Sequence, residues 1–302
     1  MNKKAFSAVD VVIVTRNRPR KLLNCVRSLI SNSIIPKRIV IIDSSSIKDN
    51  QYQAILARIR TYCHQKKISL VYKSTNDKGI AFARNLGIGE AKSELFAFID
   101  DDEEAPINWI ESILSQFNKE NLVVLCGTNI PKYPNNYWNK IWKTVMNKMD
   151  NLEGVPSVIP TSNSSYLTSF IHDNKILFDE RMKRNGEEEK FSEQIHYYKK
   201  KVLYTKKLFV YHDFRLSFAE FFIQWFSYGQ GCVFRYKLNL KDSKKNYGLL
   251  QLSNNLLQFI RDTNQRIEST DIESSLLYPG IFIKFSAFWL GFLAGILGIW
   301  TL

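Results

Sequence analysis

The sequence predicts an α/β fold built on a mostly parallel sheet, and three observations carry that prediction. Short β-branched apolar runs alternate with helix-like stretches through the first 130 residues. The most acidic point of the chain stands directly behind one of those runs. The last stretch, Phe285–Leu302, is apolar and carries no charge.

Taken in order, Val9–Val14 reads as a strand and Pro19–Ile30 as a helix, with proline suited to the first helical turn. Arg38–Ile42 is a second strand before a helix at Gln51–Gln65, and Ile68–Tyr72 a third before a helix at Gly79–Ala91. Leu95–Ile99 and Leu122–Cys126 supply a fourth and fifth strand, with a helix at Pro106–Phe117 between them. Sheets of this kind bind ligands beyond the carboxyl ends of their strands. Thr15 and Arg16, Asp43, and Asp100 to Asp102 all follow strands and are expected to converge there.

Asp100-Asp101-Asp102-Glu103-Glu104 is a run of five carboxylates. So much like charge at the end of a buried strand repels itself unless a cation shares the space. Alternation along a strand turns Asp100 and Asp102 to one side, which suits a hard divalent ion such as Mg²⁺ or Mn²⁺. Glu103 and Glu104 read instead as an acidic turn favouring the positive end of a helix that opens at Pro106.

With 302 residues, 45% apolar and 24% charged, the chain has the composition of a globular protein rather than a disordered one. A formal net charge of +13 fits an anionic partner: a nucleotide-linked substrate, nucleic acid or an acidic membrane. The basic residues are dispersed rather than gathered on a reading helix, which argues against nucleic acid. Cys25, Cys63, Cys126 and Cys232 are scattered, as expected of free thiols in a reducing compartment. Met1–Ser7 is short and polar and lacks a signal-peptide core.

Beyond Gly127 the pattern is less regular. Helices are expected at Tyr137–Met149, 217–239 and 248–267. As a helix, the 18 residues Phe285–Leu302 extend about 27 Å, enough to cross a hydrocarbon core. Trp289 and Trp300 suit the interfaces, and Gly291-x-x-x-Gly295 suits close helix packing. Arg235, Lys237, Lys241, Lys244, Lys245 and Lys284 lie before or beside this segment, so the body is expected on the cytoplasmic face of the cell membrane.

Six motifs in order then carry a resemblance. Val12-Ile13-Val14-Thr15-Arg16-Asn17-Arg18, Val40-Ile41-Ile42-Asp43-Ser44-Ser45, Gly79-Ile80-Ala81-Phe82-Ala83-Arg84-Asn85 and Phe98-Ile99-Asp100-Asp101-Asp102 are four of them. Phe178-Asp179-Glu180 before Gly186-Glu187-Glu188, and Val210-x-His212, complete the set. Together, over about residues 9–235, they resemble the inverting family 2 glycosyltransferases with the GT-A fold, a Rossmann-like sheet flanked by helices.

The resemblance implies a layout: 1–130 the donor half, 131–215 the acceptor and catalytic half, 216–275 a helical extension, and 276–302 a membrane helix. It implies a nucleotide-diphosphate sugar as donor and a lipid-linked or polysaccharide acceptor. Asp102, Asp100 and His212 would hold the metal, while Thr15, Arg16, Asp43, Arg84, Asp100 and Asp101 would bind the donor. Glu188 or Glu187 would be the catalytic base, and Asn163 and Trp225 would touch the acceptor.

Two departures stand out: Ser44-Ser45 follows Asp43 where the family often has a second acid, and Glu188 replaces an aspartate. Phosphate-ester hydrolysis through Asp-x-Asp needs a small apolar residue or threonine at the position Glu104 occupies. Nucleotidyl transfer on a related fold needs a glycine-rich loop, and Arg16-Asn17-Arg18-Pro19 has no glycine. A membrane-tethered anion- or nucleic-acid-binding protein without catalysis is the remaining alternative.

Overall fold

Apart from Asp10, whose buried carboxylate accepts from the Lys92 and Ser93 amides, Val9–Val14 of β1 (Val9–Thr15) is apolar on both faces, as suits a sheet covered on both sides, and its first five residues are buried. In the computed structural model, which describes residues 5–46, 49–76, 78–146, 154–182, 186–242 and 274–299, β1 is a central strand. Arg38–Asp43 (β2) and Leu95–Phe98 (β4) flank it in parallel, and Ser69–Ser74 (β3) lies parallel beyond β2. The register sets Thr15 opposite Asp43 and Val12 opposite Phe98. The chain ends that follow β1, β2 and β4 therefore come out at one edge.

The helices cover this half for the reasons their sequences suggest. Pro19–Ile30 (α1) starts on proline and buries Leu22, Leu23, Cys25, Val26 and Leu29, a stripe at helical spacing. Asn50–Gln65 (α2) is capped by Asp49, whose carboxylate accepts from the Tyr52 amide at 2.8 Å. Ile80–Glu90 (α3) lies so close to β1 that a Cβ built on Gly87 would stand 2.3 Å from Val12 Cγ1.

The rest of the sheet is mixed. Its order is β3-β2-β1-β4-β7-β6-β8-β5, with Glu103–Glu104 as β5, Leu122–Pro131 as β6, Ser164–Leu167 as β7 and Lys201–His212 as β8. β7 runs antiparallel to both β4 and β6, β6 is parallel to β8, and β5 is antiparallel to β8. Four of the seven pairings are thus parallel. Trp109–Lys119 (α4), Thr168–Asp173 (α6) and Glu187–Tyr197 (α7) complete this body, which comprises residues up to 132 and 152–213.

One expectation is corrected here. Glu103 and Glu104 do not open a helix at Pro106: they form β5, with Glu103 opposite His212, and α4 starts only at Trp109. Pairing with the edge of β8 satisfies the backbone of these residues sooner than a helical turn can.

Residues 133–151 and 214–302 make a second, helical unit. Tyr137–Met146 (α5), Phe218–Asp242 (α8) and Ser274–Ile296 (α9) share a core of Ile141, Trp142, Phe214, Phe221, Trp225, Ile281 and Ala287. α5 therefore packs with the C-terminal helices, although the sequence layout had grouped it with the acceptor half. The expected helix at 248–267, with Lys148, Lys244, Lys245 and Trp300, lies outside the described residues.

The tight approach of α3 to β1 is directly testable. Gly87→Ala forces a methyl against fully buried Val12, an overpacking cost of about 1–3 kcal/mol that outweighs the gain in helix propensity. Gly89→Ala meets nothing within 4 Å and is expected to stabilise by about 1 kcal/mol. Urea unfolding of the pair should move in opposite directions; equal midpoints would mean α3 has room to spare.

Candidate active site

The edge where β1, β2 and β4 end is where the polar residues gather. The Thr15 hydroxyl donates to Asp101 Oδ2 at 2.7 Å, tying the end of β1 to the acidic run. Arg18 reaches both neighbours, with Nη1 at 3.2 Å from Asp101 Oδ1 and 3.0 Å from Asp102 Oδ2. Asp101 and Asp102 are buried, and Asp100 is the more exposed of the three. Burial, then the charge of Asp102, push the Asp101 carboxyl up to about 6 against the pull of Arg18 and Thr15.

Below the aspartates Glu103 is fully buried. Its Oε2 accepts from the Asp100 amide at 2.9 Å, and its Oε1 accepts from Asn129 Nδ2 at 2.8 Å and from the Ser162 hydroxyl. Burial and the charge of Asp100 push this carboxyl up to about 8. His212, its partner across β5 and β8, sets Nε2 3.2 Å from Asp102 Oδ1. Burial opposes a charge on this imidazole, but Asp102, Glu103 and Asp100 outweigh it and raise its pKa.

On another side Arg84, a buried residue of α3, ion-pairs with Glu187 through Nη1 and lies 3.9 Å from Asp100 through Nη2. Its guanidinium also sits over the Phe178 ring at 5.5 Å. Glu187 is the first residue of α7 and is buried, which raises its pKa despite Arg84. Glu188 is only half-buried, with Oε1 accepting from the Thr161 amide at 2.9 Å. Gly186, at φ 86°, makes the left-handed turn that launches the helix and sets both glutamates at its positive end. Acidic groups from the end of β4 and the start of α7 thus meet around one arginine.

Some residues singled out in the sequence sit elsewhere. Asn163 is fully buried: its amide nitrogen donates to Thr128 O at 2.9 Å and Leu208 O at 3.3 Å, and its oxygen accepts from Trp109 Nε1 at 2.8 Å. It braces β6, β8 and α4 and offers nothing to an acceptor, so that expectation is corrected. Trp225 belongs to the second unit, 7% exposed in its core, and is corrected likewise to a packing residue. Arg16 is exposed; Arg18, beyond a left-handed turn at Asn17 (φ 56°), contacts the aspartates. Asp43 is fully buried and its oxygens accept from the Ser45 amide at 2.8 Å, Tyr52 OH at 2.7 Å and Tyr72 OH. Burial works against its ionisation, but these hydrogen bonds prevail and lower its pKa.

Arg18, Glu103, Asn129, Tyr52 and Tyr72 were not foreseen in these roles. The one local signal was for Arg18, a second arginine in the loop after β1. The others come from distant strands and a helix whose register only the fold reveals.

The donor set Asp100, Asp102 and His212 is chemically right for Mg²⁺ or Mn²⁺, with hard carboxylate oxygens and one imidazole. Asp102 and His212 are already adjacent, at 3.2 Å. Among the described residues, however, no three such groups are arranged as a metal-holding cluster.

The match to known proteins now has a structural setting. The model of the family described as "Glycosyl transferase family 2" matches residues 10–238. The chain belongs to glycosyl transferase family 2. That family is described as one of glycosyl transferases. Polypeptide N-acetylgalactosaminyltransferase 6 of mouse is 29% identical over 119 residues, 38% of this chain and 18% of the mouse protein. The chain thus spans about a fifth of that relative's length. A mannosyltransferase of Pyrobaculum calidifontis, solved with GDP-Man and Mn²⁺, superposes with a TM-score of 0.61 at 11% identity, covering 98% of this chain and 90% of that one. S. aureus TarS 1–349, solved with UDP-GlcNAc, gives 0.52 at 14% identity, covering 98% and 93%. At such identities the structural likeness shows the fold, which is GT-A.

Asp179, ahead of α7, offers a pH test of how this region is held. Hydrogen bonds from Arg181, and one from Lys190 at 3.1 Å, bring its carboxyl down to about 2 against modest burial. A lowered carboxylate contributes stability above its unfolded value of about 3.9 and loses it as pH falls through the folded value. Asp179→Asn should therefore flatten the fall in melting temperature between about pH 4 and pH 2. An acid limb as steep as that of wild type would show that the pair with Arg181 contributes nothing.

Proposed function

We propose that this family member is an inverting, metal-dependent glycosyltransferase. It moves a sugar from a nucleotide-diphosphate donor to a hydroxyl of a lipid-linked or polysaccharide acceptor, at the cytoplasmic face of a membrane. The observation that carries the reading is the meeting of Asp100 and Glu187 at Arg84, which brings the acidic run and the start of α7 together. The GDP-Man and UDP-GlcNAc bound in the two structural neighbours support a nucleotide-sugar donor.

In this reading the donor lies over the ends of β1, β2 and β4, where Asp43, with Tyr52 and Tyr72 against it, closes the base end of the cleft. Asp100, Asp102 and His212 are the residues that would hold a divalent ion, which when bound supplies Lewis-acid stabilisation of the leaving diphosphate. The Mn²⁺ in the mannosyltransferase neighbour supports this.

Glu188 acts as the base. Its Oε1 is held by the Thr161 amide and the carboxylate is only half-buried, so it can take the acceptor hydroxyl's proton as the oxygen attacks the anomeric carbon. The bond from that carbon to the diphosphate oxygen breaks in the same displacement. With one base and no enzyme nucleophile, configuration inverts. Glu187 is committed to Arg84 and serves to position it.

Asp102→Asn is expected to weaken Mn²⁺-dependent donor binding by tenfold or more, about 1.4 kcal/mol. Glu188→Gln should leave donor affinity within about twofold and lower transfer by about 10²–10⁴. Calorimetric donor titration beside a transfer assay distinguishes the two. Normal turnover by both variants would falsify the site.

A further inference from the structure

We propose that α9 lies in the plane of a membrane, with α8 beside it, and does not cross the bilayer; the proposal rests on the membrane reading above and specifies its geometry. Its 23 residues, about 35 Å of helix, are long and apolar enough to cross. Its surroundings argue otherwise.

The helix has two faces. At 100° per residue, Tyr278, Phe282, Leu290, Leu293, Ile296 and Leu297 fall within an arc of about 120°, and all are at least half exposed. On the opposite side Ile281, Lys284, Ala287, Gly291 and Gly295 are buried. Gly291 sits against α8 so tightly that an added Cβ would stand 1.9 Å from Phe226 O; one on Gly229 of α8 would stand 2.0 Å from Phe288 O. Contacts advance together along the two helices, from Trp225 with Lys284 to Val233 with Gly295, so they run side by side in one direction.

α8 therefore goes wherever α9 goes, and α8 is polar. Gln230 donates to Ile299 O at 2.7 Å and Lys237 Nζ to Gly295 O at 3.1 Å, both at the C-terminal end of α9. Arg235 lies between them in sequence. Among the described residues only α9 is apolar enough to cross a membrane. Carrying α8 through the hydrocarbon beside it would desolvate Gln230, Arg235 and Lys237, which bilayers tolerate poorly. Lying in the interface, the pair sinks only the apolar arc of α9 among acyl chains and leaves the α8 side at headgroup level.

The occupant of that arc is a lipid surface carrying anionic headgroups. Among the described residues of this unit, lysine and arginine outnumber aspartate and glutamate seven to two. An excess of cations beside an apolar face is the complement of an acidic bilayer.

The test uses the full chain carrying Cys232→Ala, since the other three cysteines are buried, and adds Ile299→Cys at a 60% exposed position just past α9. The expressed protein should fractionate with membranes. In inside-out vesicles an impermeant maleimide should label position 299 equally with and without detergent. Labelling only after detergent, or only from the opposite face, means α9 crosses: the in-plane geometry fails while membrane attachment stands. Wild-type chain found wholly in the soluble fraction, alone or as a dimer covering the arc, overturns the membrane reading itself. Leu290→Asp with Leu293→Asp, both on the exposed arc, should shift the protein to the soluble fraction by about tenfold with its melting temperature retained. Unchanged sedimentation with membranes would mean the arc is not what holds the lipid.

Discussion

Crowded negative charge at the end of β4 is the constraint that the rest of this structure answers. Asp100, Asp101, Asp102 and Glu103 come within a few residues of one another, and in a low-dielectric setting they cannot all ionise without partners. The fold brings two cations and an imidazole to them from different places: Arg18 from the loop after β1, Arg84 from α3 and His212 from the end of β8. Glu103 answers differently: burial raises its pKa, and its carboxyl accepts from the backbone amide of Asp100. In the proposed function, the same arrangement that makes the acidic run tolerable would receive a phosphate-bearing substrate with its counter-ion.

Much of the first half of the fold was legible because β1, β2 and β4 are short, predominantly apolar and separated by helices with clear stripes. The strand ends followed from that pattern, and so did the convergence of Thr15, Asp43 and the aspartates. What stayed hidden depends on pairing between distant segments. Glu103 read as a helix-opening residue because nothing local reveals that β8 waits to pair with it. Asn163 read as an accessible polar residue in a serine-rich loop, yet the indole of Trp109 and two carbonyls consume its amide. Trp225 shows the same ambiguity: an aromatic side chain on a helix serves a core as readily as a ligand.

The choice between Glu187 and Glu188 shows what structure adds to motif. Adjacent residues of one type cannot be ranked by sequence, since a helix turns them about 100° apart without saying which way. Here the first points at Arg84 and is buried, and the second is half-buried against the Thr161 amide. The lengthened side chain at 188 thus comes with a backbone donor that fixes its reach.

The distribution of indoles between the two bodies has an optical consequence. Trp109 is the single tryptophan of the sheet-bearing body, 1% exposed and hydrogen-bonded to Asn163; the other five lie in residues 133–302. Emission from the intact chain is therefore dominated by the helical body, and replacing those five with phenylalanine would leave a lone fluorophore in the sheet's interior. Its spectrum would report the integrity of the sheet-bearing body without interference from whatever the helices touch.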